Sequence, residues 1–306
     1  MPDVQPQFAL ESDRAGRFVR QASRFRDWVH ERPESGRYHL YVSLACPWAS
    51  RAVIVRKLKR LEDVLPMTVV DPIRDDRGWR FADGPDPLTG FEFLSEAYEA
   101  TAPGFDGRVS VPVLWDTEER RIVNNESADI IRMLNAWSDE GPELVPADLR
   151  AAIDELNERV YENVNNGVYR AGFATTQEAY EEAFDALFET LDWLDERLAT
   201  QRYLFGDRIT EADWRLFVTL VRFDAVYVGH FKCNLRRIDD YEHLSGYLRD
   251  LYQQPGIADT VDFDHIKRHY YGTHPSLNPT RIVPKGPALD LSRPHGRDRI
   301  GERRAA

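Results

Sequence analysis

The sequence predicts a mixed α/β domain followed by an all-α domain. Between residues 36 and 140, short segments rich in β-branched and aromatic residues alternate with segments of helical spacing. Beyond residue 148, apolar side chains recur mostly at helical spacing. The intervening residues 141–146, GPELVP, have the composition of a linker. A chain of 306 residues is long enough for two such domains.

The first predicted strand and helix flank Cys46. Residues 39–44 have the composition of a half-buried strand, and residues 49–59 carry apolar side chains at helical spacing, with the basic side chains mostly off that face. Pro47 suits a first helical turn, because the N–H that it lacks would be unpaired there. Cys46 therefore precedes a helix N-terminus, where the helix dipole favours a thiolate. This context favours a reactive cysteine over a small buried one.

A second strand at 64–70 is followed by a long predicted loop. Residues 71–90 are rich in Asp, Gly and Pro, which favour turns over regular structure. Trp79 stands in this polar loop. The sequence leaves two interpretations of Trp79 open, because such a tryptophan either fills the core or lines a site.

Two further strands form a predicted hairpin. Residues 109–115, VSVPVLW, are interrupted by Pro112, which must lie at an edge, an end or a bulge of a sheet. A cis Val111–Pro112 bond is one solution. Residues 120–123 supply the partner strand after a short turn. The resulting order is β-α-β-loop-β-β-α, with mixed strand directions.

The helix predicted at 128–137 begins with residues 124–127, NNES. Asn, Glu and Ser are all favourable at helix starts. Glu126 and Ser127 therefore have two interpretations. They either cap the helix alone, or they also hold the charged end of a ligand, with the backbone N–H groups binding any carboxylate.

The rest of the chain divides by composition. The all-α domain contains a long amphipathic helix at 176–198. Thr210 and Asp213 match a capping box, with Asp in the place of the usual Glu. We expect an N-terminal arm at 1–35, an α/β domain at 36–140, an all-helical domain at 148–287 and an Arg-rich flexible tail at 288–306.

Composition restricts the function classes. A net charge of −12 argues against general affinity for nucleic acid or for anionic membranes. There is no run of about 18 apolar residues to span a membrane, and the N-terminal residues lack the apolar region of a secretory signal. Two distant cysteines form no disulfide framework and suit a reducing cytosol. We therefore expect a cytoplasmic protein.

Two side-chain groups outside the cysteine turn have structural interpretations. Cys233 is expected to be a packed core cysteine rather than a second nucleophile. His265 and His269 are four residues apart, an acceptable spacing for metal ligands, with Asp264 and His274 nearby. No acidic or cysteine cluster accompanies them, so we expect solvated side chains and no metal site.

Residues 40–49, LYVSLACPWA, resemble the motif of the glutathionyl-hydroquinone reductases, the Xi class of the glutathione transferases. That motif often continues with His, where this chain has Ser50. The resemblance extends collinearly over about 38–287 and through both predicted domains. Its further motifs are Gly78-Trp79, 111–116 (VPVLWD), 122–127 (IVNNES), 165–169 (NNGVY), 230–234 (HFKCN), 269–271 (HYY) and 278–280 (NPT).

The resemblance implies a fold and a reaction. The fold is the glutathione transferase fold, a thioredoxin-like domain followed by a helical-bundle domain. The reaction is the reduction of a glutathionyl-hydroquinone through a mixed disulfide of Cys46 with glutathione. The turn, CPWA, has a single cysteine, so an outside thiol must resolve that disulfide. No permanently bound cofactor is implied; glutathione, or a related γ-glutamyl thiol such as γ-glutamylcysteine, is the co-substrate.

The resemblance also implies roles for five residues in glutathione binding. Trp79 would pack against glutathione, and Arg108 would bind one of its carboxylates through the planar fork of its guanidinium. Val111 would hydrogen-bond the cysteinyl backbone through its main chain. Glu126 and Ser127 would bind the γ-glutamyl ammonium and carboxylate.

The hydroquinone side is implied less directly. Tyr169 and Tyr270 resemble the residues over the hydroquinone pocket, where a phenol stacks on the ring and donates a proton. Tyr271 is an adjacent alternative to Tyr270. The resemblance also implies a homodimer joined through the helical domain.

Two rival functions remain open from the sequence. The first is general thiol transfer or dehydroascorbate reduction by the same fold. The second is a non-catalytic ligand-binding protein, against which Cys46 argues, because a binder needs no thiol at a helix N-terminus. The predicted loop around Trp79 and the tyrosines favour the hydroquinone reaction.

Overall fold

The structure is a computed structural model that describes residues 11–298 and residue 300. The chain forms two compact units. One, called the sheet unit, consists of Gln21–Glu143 and Asp259–Thr273. The other, the helical unit, consists of Leu144–Ala258 together with the described residues up to Arg20 and those from His274 onward.

Both units are built from short regular elements that follow one another along the chain. They are β1 (Tyr38–Val42), α1 (Pro47–Leu58), β2 (Met67–Val69), α2 (Leu94–Thr101), β3 (Val113–Asp116), β4 (Arg121–Asn124), α3 (Ser127–Ala136), α4 (Arg150–Val160), α5 (Gly167–Gly172), α6 (Gln177–Leu198), α7 (Glu211–Arg222), α8 (Val228–His230), α9 (Leu244–Tyr252) and α10 (Phe263–Thr273).

The sheet unit contains a four-stranded mixed sheet with the strand order β2-β1-β3-β4. Strand β1 pairs parallel with β2, Leu40 lying opposite Met67, and antiparallel with β3, Leu40 lying opposite Leu114. Strands β3 and β4 form the predicted antiparallel hairpin. Strand β1 lies between β2 and β3 and buries four of its five side chains, which explains its apolar and aromatic composition.

Helix α1 begins at Pro47, directly after Cys46, as predicted. The expectation that its basic residues lie off the buried face is wrong for two of them. Arg51 and Lys59 are both buried. Lys59 directly follows the last residue of the helix and donates a hydrogen bond from Nζ to the backbone oxygen of Pro142 at 3.3 Å. A buried ammonium needs such partners, and burial lowers the pKa of this lysine.

Two local features of the sheet unit differ from the sequence prediction in extent. The strand predicted at 109–115 begins only at Val113, and the cis peptide bond between Val111 and Pro112 lies ahead of it. Proline has no N–H to donate to a sheet, which suits a position before the strand. Helix α2 follows the predicted loop and was not anticipated. Its start is fixed by Glu96, whose Oε1 accepts the backbone N–H of Phe93 at 2.9 Å.

The helical unit is built around α6 and α7. Thr210 and Asp213 form the predicted capping box, in which the Asp213 carboxylate accepts the Thr210 backbone N–H at 2.8 Å. Two π-helical segments, Tyr161–Asn165 and Phe223–Tyr227, interrupt the regular helices and precede α5 and α8. Such segments are often found near functional sites.

The domain boundaries stay a prediction, with one difference in where a helix belongs. Helix α10, which falls within the predicted all-helical domain, is part of the sheet unit. The predicted tail lies partly outside the described residues. Within its described part, Arg297 is buried and donates from Nη2 to the backbone oxygen of Leu198 at 2.9 Å. Over the described residues, no helix has the length and apolarity that a membrane span requires.

Candidate active site

Cys46 is the last residue before α1, and its side chain is half-buried. Its backbone N–H donates to the Ser43 oxygen at 3.1 Å, which closes the turn after β1. Its backbone oxygen accepts the N–H of Ser50, the first full-turn bond of the helix. The thiol therefore lies at the end of α1 where N–H groups are exposed, an environment that stabilises a thiolate.

Val111 faces the same thiol from the loop ahead of β3. The Cys46 Sγ lies 3.5 Å from the Val111 backbone oxygen and donates a hydrogen bond to it. The cis bond to Pro112 that the sequence suggested is present. The structure thus brings together two of the predicted site residues, Cys46 and Val111.

Glu126 and Ser127 form the start of α3. Glu126 is the capping residue, and its Oε1 accepts the Ala128 backbone N–H at 3.1 Å. Its other oxygen, Oε2, accepts the hydroxyl of Ser23 at 3.0 Å. Both carboxylate oxygens are therefore held in place, with capacity left to accept a ligand ammonium. Glu126 therefore caps the helix, one of the two roles that the sequence left open, and the ligand interpretation of Glu126 and Ser127 stays a prediction.

Ser127 is 3% exposed, and its hydroxyl contacts Arg51 of α1. The Arg51 Nη1 donates to the Ser127 Oγ at 3.4 Å. The same guanidinium lies over the indole of Trp48, 4.6 Å from the ring centroid. Sequence reasoning did not single out Arg51. Its spacing from Pro47, one full turn along α1, was the available signal.

Trp79 is buried, and its ring stacks on the imidazole of His269 with 4.8 Å between centroids. The His269 Nδ1 lies 2.8 Å from the Pro72 backbone oxygen, to which it donates. Burial lowers the pKa of His269 to about 3, so the stacked ring is neutral. The Arg74 guanidinium lies 5.8 Å from the Trp79 ring centroid. Helix α10 therefore fixes the loop that carries Trp79.

Arg108 is half-buried in the segment before Val111. Its charge is among the smaller influences on His269, behind burial itself, and helps to keep the pKa of that imidazole low. Arg108 belongs to the sheet unit, as do Cys46, Trp79, Glu126 and Ser127.

The predicted tyrosines divide between the two units. Tyr270 of α10 is 2% exposed, and its ring meets the edge of His269 at 5.4 Å. Tyr271 is half-buried, and burial raises its pKa. Tyr169 of α5 belongs to the helical unit, where the Arg20 guanidinium lies 4.7 Å from its ring centroid.

The histidines considered as metal ligands have other roles. His265 lies 3.3 Å from the Ser43 hydroxyl through Nε2, and His269 serves the Trp79 stack. Both are buried, so the expectation of solvated side chains is wrong: α10 packs both rings within the sheet unit. Among the residues that the structure describes, no three or more His, Cys, Asp or Glu side chains converge as metal ligands would.

Family models match a segment of each unit. A model of the glutathione S-transferase N-terminal domain matches residues 45–137, and a model of the C-terminal domain matches residues 177–250. Among curated proteins, glutathionyl-hydroquinone reductase PcpF of Sphingobium chlorophenolicum is 54% identical over 286 residues, 90% of this chain and 91% of that protein. Glutathionyl-hydroquinone reductase YqjG of Escherichia coli K12 is 51% identical over 304 residues, 92% of this chain and 93% of that protein.

Solved structures agree with these matches. The glutathione-bound structure of YqjG superimposes with a TM-score of 0.84 at 53% identity, covering 87% of this chain and 89% of that one. A Xi-class transferase from Natrialba magadii gives a TM-score of 0.86 at 51% identity, covering 90% and 88%. The predicted fold, a thioredoxin-like domain followed by a helical domain, is confirmed.

Proposed function

This chain belongs to the glutathionyl-hydroquinone reductases, the Xi class of the glutathione S-transferase family, and we propose that it reduces glutathionyl-hydroquinones to hydroquinones through Cys46. The observation that carries the proposal is the position of the Cys46 thiol, half-buried at the start of α1 and 3.5 Å from the Val111 oxygen. No second cysteine stands in the turn. The chemistry is therefore that of a single thiol.

The first step transfers glutathione from the aromatic ring to the enzyme. The Cys46 thiolate attacks the sulfur of the thioether, so that a sulfur–sulfur bond forms while the bond from sulfur to the ring carbon breaks. The electron pair of the broken bond stays with the ring carbon, which takes up a proton. The hydroquinone leaves reduced, and Cys46 is oxidised to a mixed disulfide with glutathione.

The second step regenerates the thiolate. A second glutathione, as its thiolate, attacks the glutathione sulfur of the mixed disulfide and releases oxidised glutathione with free Cys46. One glutathionyl-hydroquinone and one glutathione are thus converted to one hydroquinone and one oxidised glutathione. Since Cys233 is wholly buried in the helical unit, it supplies no resolving thiol.

The glutathione site is assigned to residues around this turn. In the proposal, Val111 pairs with the cysteinyl backbone, Trp79 packs on the glutathione, and Arg108 binds a carboxylate. The γ-glutamyl end is bound by Glu126 and Ser127, whose side chains lie at the start of α3. The positive end of that helix favours a bound carboxylate.

The proton for the ring carbon is assigned to a tyrosine. Tyr270 lies in the same unit as Cys46 and is the first choice; Tyr271 is the adjacent alternative. The role of Tyr169, of the helical unit, over the hydroquinone pocket stays a prediction. Each of the three tyrosines is changed to Phe, and the rate at which hydroquinone is released in a single turnover is measured for each variant. Only loss of the proton donor should slow this release, so the slow variant identifies the donor.

We also propose a cytoplasmic homodimer joined through the helical unit. The homodimer is supported by the resemblance of the sequence to its family. The cytoplasmic location is supported by the two cysteines, which form no disulfide with each other. Light scattering after gel filtration measures the state directly: a mass twice the 35.4 kDa of the chain is expected, and a mass of one chain would overturn the dimer.

The reaction is tested in two parts. Exposure of the protein to oxidised glutathione should add a single glutathione to Cys46, measured by mass spectrometry of the intact chain and its peptides. The wild type should then reduce a glutathionyl-hydroquinone with glutathione, whereas Cys46→Ala should lose at least about 1,000-fold in rate. Cys233→Ala is the matched control and should retain activity.

The outcomes separate the rival functions. If Cys46 forms no adduct, neither enzyme reaction holds and a ligand-binding role remains. If Cys46 forms the adduct and the protein reduces simple disulfides or dehydroascorbate but leaves the thioether intact, the general thiol-transfer function is correct and the hydroquinone proposal is wrong.

A further inference from the structure

Ser127 carries a buried hydroxyl whose bonding is only half complete. A serine hydroxyl donates one proton and accepts through two lone pairs. Here the Ser127 Oγ accepts from the Arg51 Nη1 at 3.4 Å. Among the residues that the structure describes, this is the only hydrogen bond that the Ser127 hydroxyl makes. The hydroxyl keeps its proton to donate, and a buried hydroxyl gains by donating it to a ligand acceptor.

Arg51 determines which ligand atom suits that place. The guanidinium occupies one of the two lone pairs of the Ser127 oxygen and turns the O–H away from itself, so the proton is available to an acceptor such as a carboxylate. The side chain of Arg51 is 1% exposed and held against Trp48. A cation fixed behind the hydroxyl strengthens its donation to an anion, and the backbone N–H groups at the start of α3 add to the same preference.

The neighbouring Glu126 supplies the opposite charge. Its carboxylate, held by Ser23 and the Ala128 N–H, accepts an ammonium. A ligand end that carries an ammonium and a carboxylate on one carbon matches this pair of groups. The α-carbon of a γ-glutamyl thiol has both.

We propose that Arg51 is a specificity-determining residue, which makes the enzyme select thiols that carry a γ-glutamyl carboxylate by directing the Ser127 hydroxyl toward it. The proposal rests on the proposed function in placing the γ-glutamyl end at Glu126 and Ser127. Arg51 acts through Ser127 without touching the thiol, and is a positioning residue. Loss of its charge weakens only those ligands that have the carboxylate.

The test measures binding without turnover. In a Cys46→Ala background, calorimetry compares glutathione with 4-aminobutanoyl-cysteinylglycine, which lacks only the α-carboxylate. Arg51→Met should weaken glutathione by about tenfold, in line with the loss of one charge-assisted hydrogen bond. It should leave the affinity for the analogue unchanged. Arg51→Lys keeps the charge and loses the planar fork, so its affinity for glutathione should lie between that of the Arg51 protein and that of Arg51→Met.

Ser127→Ala provides a second, smaller change for the case in which Arg51→Met does not fold. It should also weaken glutathione selectively, and the double variant should be no weaker than either single one, because both remove one interaction. Equal weakening of glutathione and the analogue, or no weakening of either, would overturn the proposal. Because Cys46 is absent, a failure of the hydroquinone reaction in the wild type leaves these binding results intact, and the two failures are distinguishable.

Discussion

The two cysteines of this chain have the same side chain in opposite environments. Cys46 of the sheet unit is half-buried at the start of a helix, with its Sγ 3.5 Å from a backbone oxygen. Cys233 of the helical unit is 0% exposed and donates its thiol hydrogen to the Phe231 oxygen at 3.8 Å. Burial raises the pKa of Cys233 well above the ordinary range of a thiol.

The difference shows that the environment, not the residue type, decides thiol chemistry. A thiolate is stabilised by donors or water around its charge, and Cys46 is half-buried just before the exposed N–H groups of the first turn of α1. The surroundings of Cys233 offer neither, since the same burial that packs its sulfur disfavours the charged form. The single-thiol chemistry of the enzyme therefore follows from the position of each cysteine in the fold.

Alkylation should give the largest contrast. In the folded protein, iodoacetamide should modify Cys46 at least about 1,000-fold faster than Cys233, because Cys233 reacts only after its surroundings open. Peptide mass spectrometry at timed intervals measures both rates in one sample. In denaturant the two rates should converge. Folded-state rates within tenfold of each other would show that Cys233 is not protected as the structure implies.

The dependence of the free energy of unfolding on acid pH should show that burial keeps the imidazole of His269 uncharged, as it keeps the thiol of Cys233 uncharged. The pKa of His269 is lowered from 6.5 to about 3 by burial, so the folded protein holds this ring neutral while the unfolded chain protonates it below 6.5. The contribution of the neutral His269 to the free energy of unfolding is therefore fully present above pH 6.5 and is lost as the pH falls toward 3. Between pH 7 and pH 5 the protonation of His269 in the unfolded chain should lower the free energy of unfolding by about 2 kcal/mol.

The variant His269→Phe keeps a ring against Trp79 and removes the titration. Urea unfolding of this variant at pH 7 and at pH 5 gives the free energy of unfolding at each pH. The decrease from pH 7 to pH 5 should be about 2 kcal/mol smaller than in the wild type, whatever the stability of the variant at pH 7. His30→Phe is the matched control, since His30 is exposed, and should lose as much as the wild type. An unchanged acid loss in His269→Phe would mean that the ring is protonated in the folded state.

Local signals account for what the sequence predicted correctly. Pro47 fixed the start of α1, and Thr210 with Asp213 fixed the start of α7, because helix caps depend on residues only a few positions apart. The fold class followed from periodicity. The cysteine turn followed from Pro47 in the same way.

Tertiary contacts account for what the sequence did not predict. The burial of Arg51 depends on a tertiary contact, because its Ser127 partner lies on α3, far along the chain. The packing of His269 on Trp79 joins residues 190 positions apart, so the spacing within α10 gave no sign of it and we expected solvated side chains. Helix α2 escaped prediction because eight residues give too little periodicity to register.

The smallest contrast is in stability. Cys233→Ser places a hydroxyl where a thiol was packed without exposure, and a buried hydroxyl costs more to desolvate than a thiol. The new hydroxyl can still donate to the Phe231 oxygen, which offsets part of that cost. We therefore expect a loss of roughly 1 to 2 kcal/mol in the free energy of unfolding, measured by urea titration. Cys46→Ser, at a half-buried position, should cost less than about 0.5 kcal/mol. Equal losses at the two positions would mean that the protein packs both cysteines alike, and the contrast from which their different reactivity is argued would not hold.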